Sequence, residues 1–233
     1  MKTTMDGDLI RSAEAGNLDR VRELLRSGAY VNAANADGRT ALMGATYNGH
    51  LNVVRELVGI HTLDVNAQEG NGLTALMMAS MLNRVDIVLE LVKCDAIDVN
   101  VTDENHSSAL IWATYTDNLD VIRELVKLDT LDVNVISELA SVTALMIASV
   151  RGRLDIVHEL LKCNNIDVNV RDTQGMTALM VASFKGHCGV VRALVKNDNL
   201  DVNAQDLKGD TAFSMASRGG HLDVVEVLRE AAI

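Results

Sequence analysis

The sequence predicts an all-α solenoid, a one-dimensional stack of similar helix–turn–helix units. The first observation behind this prediction is a phrase that begins with Thr or Ser followed by Ala and recurs at 40–43, 74–77, 108–111, 143–146, 177–180 and 211–214. The second is an Asp-Val-Asn phrase between these sites, whose asparagines, counted from Asn32, are spaced by 34, 34, 34, 35 and 34 residues. A fixed period of this length is typical of stacked repeat proteins.

The first unit, residues 1–34, is predicted to be an N-terminal capping repeat. Asp8 to Ala15 is expected to form a short helix and Leu18 to Arg26 a second one, with a turn between them. Arg11 and Arg20 occupy positions that are mostly apolar in the later units. Basic residues at these positions suit a terminal repeat, because no neighbour covers its outer face.

Five internal repeats and a C-terminal capping repeat complete one continuous domain of seven units. In the last unit Arg229 replaces the Val or Leu of the preceding units, which indicates that this end is also capped. The predicted internal repeats are 35–68, 69–102, 103–137, 138–171 and 172–205, and the C-terminal cap is 206–233.

Each unit opens with a short polar stretch that predicts a tight turn and often contains Gly. The Thr or Ser that follows can cap a first helix of about eight residues by accepting a backbone N–H bond. A second helix then carries a wide apolar stripe. Two turns are irregular, because His106 replaces Gly and residues 135–142 contain one extra residue and no Gly. The recurrent asparagines are predicted to hold turns through local backbone hydrogen bonds.

The composition bounds the choice of partner. The net charge is −11 and the pI is about 4.9. An acidic surface repels phosphates, so we expect no nucleic-acid ligand, and a protein with a basic surface is a better candidate. The charge can also serve solubility alone. No apolar run is long enough to span a membrane, and the first ten residues lack the core of a signal peptide.

Three cysteines, Cys94, Cys163 and Cys188, stand at unrelated spacings. The first two occupy equivalent positions two units apart, roughly 20 Å in a stack of helical layers, which is too far for a disulfide. We expect all three to be reduced, in a cytoplasmic or nuclear and not a secreted protein.

Three phrases of the chain resemble the ankyrin repeat: Asp-Gly-Arg-Thr-Ala-Leu-Met at 37–43, Asp-Val-Asn-Ala at 201–204 and Gly-His-Leu-Asp-Val-Val at 220–225. The resemblance covers nearly the whole chain. It implies antiparallel helix pairs stacked into a curved solenoid, with β-hairpin loops projecting at right angles. It also implies a non-catalytic protein-binding module that uses the hairpin tips and the concave face of the first helices. The family's usual Thr-Pro-Leu-His is replaced by Thr-Ala-Leu-Met, which gives up a pre-set first helical turn.

By this resemblance, the contact positions are the turn around each Gly and two positions late in each first helix. The first late-helix position holds three of the six aromatic residues of the chain, Tyr47, Tyr115 and Phe184. Exposed large side chains mark interaction sites, although these rings could instead pack on the neighbouring helix. The predicted partner-binding residues are Tyr47, Met81, Tyr115, Phe184, Trp112, Asp37, Arg39, Leu73, Asn105, Leu139, Val142, Met176 and Lys185.

No residue pattern indicates catalysis, a metal or a cofactor. His50, His187 and His221 share one repeat position and are therefore spaced by whole units, whereas zinc ligands must converge on one ion. A Gly-rich phosphate loop is absent from the sequence. We therefore expect a monomeric, non-catalytic scaffold for protein–protein interaction. The alternative is an engineered or structural repeat scaffold with no dedicated natural partner.

Overall fold

The computed structural model describes residues 2–138 and 141–231, and within them the fold is all-α, as the sequence predicts. The connections between helix pairs are turns, with isolated antiparallel bridges joining Ala34 to Thr40 and Ser137 to Val142. The described residues form α1 (Lys2–Glu14), α2 (Leu18–Arg26), α3 (Ala41–Asn48), α4 (Leu51–Val58), α5 (Ala75–Met81), α6 (Val85–Leu91), α7 (Ala109–Tyr115), α8 (Leu119–Leu125), α9 (Ala144–Val150), α10 (Leu154–Leu160), α11 (Ala178–Lys185), α12 (Cys188–Leu194), α13 (Ala212–Gly219) and α14 (Leu222–Ala231).

The chain divides into two compact units, residues 1–125 and 126–233. In the first unit α1, α3, α5 and α7 pack side by side, and α2, α4, α6 and α8 form a second layer against them. In the second unit α9, α11 and α13 form one layer and α10, α12 and α14 the other. The odd-numbered helices are called first helices below, and the even-numbered ones second helices.

Apolar side chains fill the space between the two layers. Leu42 and Leu57 of the first unit and Leu179 and Leu194 of the second are all at most 1% exposed. Full burial of such a side chain stabilises the fold by about 1.5–3 kcal/mol relative to its exposed state. Because equivalent residues recur in each repeat, the core is a series of similar contacts between neighbouring helix pairs.

The predicted capping residues are confirmed at the start of the first helices from α3 onward. Thr74, for example, has extended backbone geometry, and its hydroxyl oxygen accepts the backbone N–H of Met77 at 3.2 Å. Thr40, Ser108, Thr143, Thr177 and Thr211 make the equivalent bond. Capping of this kind satisfies one of the backbone donors that a helix start leaves open and stabilises it by about 1 kcal/mol.

The recurrent asparagines are structural, but the prediction that they bond locally is wrong. The amide nitrogen of Asn66 donates to the carbonyl oxygen of Ala96 at 2.7 Å, and its amide oxygen accepts the backbone N–H of Asp98 at 2.9 Å. Asn32, Asn134 and Asn169 bond in the same way to the loop of the repeat that follows them. These side chains therefore connect neighbouring repeats.

Each of the two irregular turns has a non-glycine residue in the left-handed region where the regular turns have glycine. Gly38 has a φ of +81°, and His106 and Ser141 adopt φ values of 54° and 53° at the corresponding place in their turns. Non-glycine residues enter this left-handed region at some energetic cost.

The terminal helix pairs match the sequence prediction in part. The second helix of the first pair has the predicted bounds, but α1 begins at Lys2, before the predicted start at Asp8. Arg11 and Arg229 are exposed and Arg20 is half-exposed, as expected for helices without an outer neighbour. The last repeat also exposes the apolar residues Phe213 and Leu222 of this helix pair and Leu207 of the loop before it.

Candidate functional site

Three large side chains form an exposed row on the first helices of the first unit. Tyr47, Met81 and Tyr115 lie at or near the C-terminal ends of α3, α5 and α7, and each of these helices packs against the next. Tyr47 is 47% exposed and Tyr115 is 46% exposed, while Met81 is half-buried. We call these three residues the ring row. The two tyrosine rings are therefore not buried against neighbouring helices, which was the alternative that the sequence left open.

A loop residue reaches over the first ring of the row. The guanidinium carbon of Arg39 lies 5.7 Å from the centroid of the Tyr47 ring. The same guanidinium bonds to the carboxylate of Glu69 in the next loop at 2.7 Å, and that side chain is only 5% exposed. This hydrogen bond raises the pKa of Arg39 above its ordinary value. Arg39 is therefore fixed in place, and its charge is matched by a carboxylate within the unit.

Trp112 contacts both the ring row, through Tyr115, and the loop that precedes α7. Its indole N–H donates to a carboxylate oxygen of Asp103 at 2.9 Å, which links α7 to its preceding loop. The Trp112 and Tyr115 rings are tilted by 49° with their centroids 6.5 Å apart, in the range where aromatic pairs attract. Trp112 is half-buried, so its main contacts are within the protein.

The equivalent position in the second unit places a different set of groups on the surface. Val150 and Phe184 are exposed at the ends of α9 and α11, and Arg218 is exposed on α13. Phe184 is 55% exposed, and the ammonium nitrogen of Lys185 lies 5.6 Å from its ring centroid. A cation at this distance is attracted to the ring face, and more than half of the Phe184 side chain remains accessible to solvent.

Beside Phe184 there is a hollow of about 400 Å³ between first helices and loop tips, which we call the Phe184 hollow. Arg218 pairs with Asp210 across it at 2.5 Å, and this contact holds the pKa of Asp210 below its ordinary value. The lining residues are Met176, Phe184, Asp206, Lys208, Asp210, Met215 and Arg218. The sequence prediction included Met176 and Phe184 but not the ion pair beside them.

The remaining predicted contact residues lie at the loop tips. Asp37 and Asn105 are exposed, whereas the apolar Leu73 and Val142 are half-buried. Leu139 lies outside the described residues. Neighbouring tips are joined by backbone bonds, such as that from the Gly70 N–H to the Asp37 carbonyl oxygen at 2.8 Å. The tips therefore provide a hydrogen-bonded platform beside the first helices within each unit.

Sequence reasoning missed Glu69 and Asp210 as members of these surfaces. It placed Arg218 at the late-helix contact position but not among the predicted partner-binding residues. A signal existed for Glu69, because it stands where other repeats have Asn35, Asp103, Asp172 or Asp206. Asp172, for example, accepts two backbone N–H bonds from its own turn, whereas the longer side chain of Glu69 reaches Arg39 in the preceding loop. The signal for Arg218 is its charge, because it is the one basic residue at the repeat position that holds Tyr47, Tyr115 and Phe184.

The histidines, cysteines and carboxylates do not assemble into a metal site within the described part of the chain. His50, His187 and His221 each reach back to the preceding repeat. Their Nε2 atoms lie within hydrogen-bonding distance of a carbonyl oxygen at or near the end of that repeat's first helix, namely those of Glu14, Val150 and Phe184. Cys94, Cys163 and Cys188 are free thiols. Of the helices described, none is long and apolar enough to cross a membrane.

Comparison with known proteins identifies the repeats. A family model described as ankyrin repeats (3 copies) matches residues 9–103, 96–172 and 145–233. No curated protein sequence matches the chain. The fold is similar to the crystal structure of the ankyrin repeat domain of Bcl-3, a unique member of the IkappaB protein family, with a TM-score of 0.84 and 24% identity. That match covers 95% of this chain and 97% of the other, and it confirms the predicted fold class.

Proposed function

The chain belongs to the ankyrin-repeat family, and on that premise we propose that it is a non-catalytic scaffold that binds a protein partner through its first-helix surface and loop tips. Repeats of this family generally mediate protein–protein interactions. The observation that carries the proposal is the exposure of about half of the Tyr47, Tyr115 and Phe184 side chains at one repeated position. Aromatic residues are enriched at interfaces, where burial of their large apolar area stabilises a complex.

The predicted partner-binding residues divide by role within this proposal. Tyr47, Met81, Tyr115 and Phe184 act as apolar anchors, while Arg39 and Trp112 hold two of these rings in position. The loop residues, together with Lys185 at the end of α11, act as a rim around the anchors. Hot spots of binding are commonly a few such anchors surrounded by contacts of lower energy. The rim residues are Asp37, Leu73, Asn105, Leu139, Val142, Met176 and Lys185.

The charge of the chain supports a partner with a basic surface at the first unit. Residues 1–125 contain 18 acidic and 10 basic residues. Asp37 and Glu104 are exposed at the loop tips beside the ring row, where Arg39 is already paired. Charge complementarity at the rim speeds association and selects among partners. We further propose a monomer in the cytoplasm or nucleus that binds neither nucleic acid nor membranes and has no enzymatic activity or cofactor.

The proposal is tested by affinity capture from a lysate of the source cell, with crosslinking mass spectrometry to locate the contact. The wild-type protein is compared with Tyr47→Ala and Tyr115→Ala. We expect each substitution to reduce capture of the same protein at least several-fold, since interface anchors cost more than about 1 kcal/mol when truncated. Crosslinks should fall on the first-helix surface and the loop tips.

The matched control is Leu89→Ala, which removes a large apolar side chain that is 37% exposed on the second helix α6. All three variants should keep their stability within about 1 kcal/mol, as expected of surface positions. Retained capture by both tyrosine variants would rule out the ring row as the contact surface. A chain that captures no specific protein would instead be a structural scaffold without a dedicated partner.

A further inference from the structure

The Phe184 hollow differs in charge from the ring row, although both use the same repeat position. In the first unit the residues that follow the row are Asn48, Leu82 and Thr116, none of which is charged. In the second unit the corresponding residues after Val150 and Phe184 are Arg151 and Lys185. Arg218 then stands at the row position itself. The last turns of α3, α5 and α7 thus contain no basic residue, whereas basic residues stand at the ends of α9, α11 and α13.

The cations around Phe184 are accessible. Lys185 is exposed, and neither its ammonium group nor that of Lys208 forms an ion pair with a carboxylate in the described residues. Arg218 pairs with Asp210, but its side chain remains 64% exposed. A guanidinium has five N–H donors, so this group can still bond to a second carboxylate.

The two carboxylates of the hollow are engaged within the protein. One oxygen of Asp206 accepts the backbone N–H groups of Lys208 and Asp210, both at 2.8 Å. Asp210 pairs with Arg218 through one oxygen and accepts the Ser214 hydroxyl at 3.1 Å through the other. These acidic groups hold the loop and the arginine. The positive charge of Lys208 also helps to hold the pKa of Asp210 below its ordinary value, but no hydrogen bond or ion pair joins the two side chains.

The hollow also has an apolar component. Phe184 is more than half exposed, and Met176 is half-buried beside it. A volume of about 400 Å³ is in the range of pockets that hold a ligand side chain or a small ligand. An exposed apolar ring, with three exposed cations beside it and two carboxylates that are already bonded within the protein, favours an occupant that has both an apolar side chain and negative charge.

We propose that the Phe184 hollow binds an acidic peptide segment, with one large apolar side chain against Phe184 and flanking carboxylates at Lys185, Lys208 and Arg218. This inference rests on the proposed function and adds the chemistry of the partner at the second unit. Residues 126–233 contain 14 acidic and 11 basic residues, a smaller acidic excess than in residues 1–125. At physiological salt, charges beyond about 8 Å are largely screened, so the charges at the hollow matter more for its ligand than the net charge of the chain.

The inference is tested with the full chain and fluorescein-labelled peptides in an anisotropy titration. The probe is a 12-residue peptide with one Phe flanked by Asp and Glu, and it is compared with a peptide in which Lys replaces the acidic residues. A third peptide keeps the acidic residues and replaces Phe by Gly. We expect the first peptide to bind most tightly and its affinity to fall as salt is raised, because exposed charge pairs are screened.

Charge reversal locates the site. The double variant Lys185→Glu/Lys208→Glu should weaken the acidic peptide roughly 10-fold or more, since each exposed pair contributes up to about 1 kcal/mol and 1.4 kcal/mol is a factor of ten. Lys196→Glu is the matched control, because Lys196 is exposed beyond the end of the second helix α12, and it should leave the affinity unchanged. Amide chemical shifts should change at α11, α13 and the loop at 206–210.

The inference is overturned by equal or tighter binding of the basic peptide, or by shift changes confined to residues 1–125. Tighter binding of single-stranded nucleic acid at the same residues would also overturn it, because the site would then select a polyanion. The proposed function fails separately, when Tyr47→Ala and Tyr115→Ala leave capture of the cellular partner intact. Acidic-peptide binding and partner capture can therefore fail independently.

Discussion

One repeated position of the first helices holds a buried Ser or Thr, and its hydroxyl is hydrogen-bonded in one repeat but unpaired in others. Thr46, Ser80, Ser149 and Ser183 are completely buried, and their hydroxyls have no hydrogen-bond partner among the described residues. Thr114 occupies the same position but donates to the Leu110 carbonyl oxygen at 2.8 Å. A buried hydroxyl without a partner is unfavourable, whereas a bonded one contributes about 1 kcal/mol.

We predict that Ser80→Ala will leave the free energy of unfolding unchanged or raise it by up to about 1 kcal/mol, because it removes an unpaired polar group and introduces a better helix former. Thr114→Val keeps the shape of the side chain but removes a bonded hydroxyl, so it should cost about 1 kcal/mol. Urea denaturation of the two variants measures both values. A clear loss of stability in Ser80→Ala would show that its hydroxyl is hydrogen-bonded in solution.

Cys94 and Cys163 are expected to react slowly with alkylating reagents because their thiols are partly buried. Burial raises the pKa of the Cys94 and Cys163 thiols above their ordinary value, so less of the reactive thiolate is present at neutral pH. We predict that single-cysteine variants retaining either residue will alkylate with iodoacetamide several-fold more slowly than N-acetylcysteine at pH 7.5. Their rates should keep rising at a pH where the free thiol has levelled off. Intact-mass kinetics between pH 7 and 10 provide the measurement, and a rate equal to that of the free thiol would contradict the prediction.

At the scale of helices and loops, sequence reasoning found the helix starts but not the bonds between repeats. A capping Thr lies three residues before the N–H that it accepts, so local spacing was sufficient. The partners of Asn66 lie 30 to 32 residues away along the chain. A one-dimensional pattern marks such a residue as structural without showing which neighbour it reaches. The pairing of Asp210 with Arg218 also depends on three-dimensional geometry. Asp210 lies in the loop before α13 and Arg218 in the last turn of that helix, and the fold brings the two side chains together.

The connection between repeats can be tested at Asn66. We predict that Asn66→Ala will lower the free energy of unfolding by about 1–3 kcal/mol, because two hydrogen bonds to the next loop are lost at about 0.5–1.5 kcal/mol each. Hydrogen exchange at Asp98 should become faster, since its backbone N–H loses its acceptor. Stability is measured by chemical denaturation and local opening by amide exchange.

The control for this element is Asn48→Ala. The Asn48 amide donates to the Gly44 carbonyl oxygen of its own helix at 2.9 Å and connects no neighbouring loop. Its replacement should change stability by less than about 0.5 kcal/mol. Equal effects of the two substitutions would mean that the recurrent asparagines stabilise single repeats.

For the whole molecule, the period predicted the fold class because each repeat needs its neighbours to bury its apolar faces. The separation of the charges was harder to predict. The net charge of the chain is acidic, yet its exposed charges differ locally. Carboxylates of Asp37 and Glu104 are exposed at the tips beside the ring row, whereas Lys185, Lys208 and Arg218 are exposed at the Phe184 hollow. Each of these surfaces combines helix ends and loop tips that are separated along the chain and are brought together by the fold within a unit.

The two compact units each have their own buried core, which has a consequence for how the chain unfolds. Leu57 of α4 and Leu194 of α12 are completely buried, and truncation of such a residue to Ala costs about 2–5 kcal/mol. Because stability in repeat proteins is transmitted mainly between nearest neighbours, we predict that Leu57→Ala will reduce amide protection mostly in residues 1–125 and Leu194→Ala mostly in residues 126–233.

Hydrogen-exchange mass spectrometry measures protection along the chain, with the surface variant Leu89→Ala as the control that should leave both units protected. A similar loss of protection in both units after either core substitution would show instead that the chain unfolds as one cooperative block.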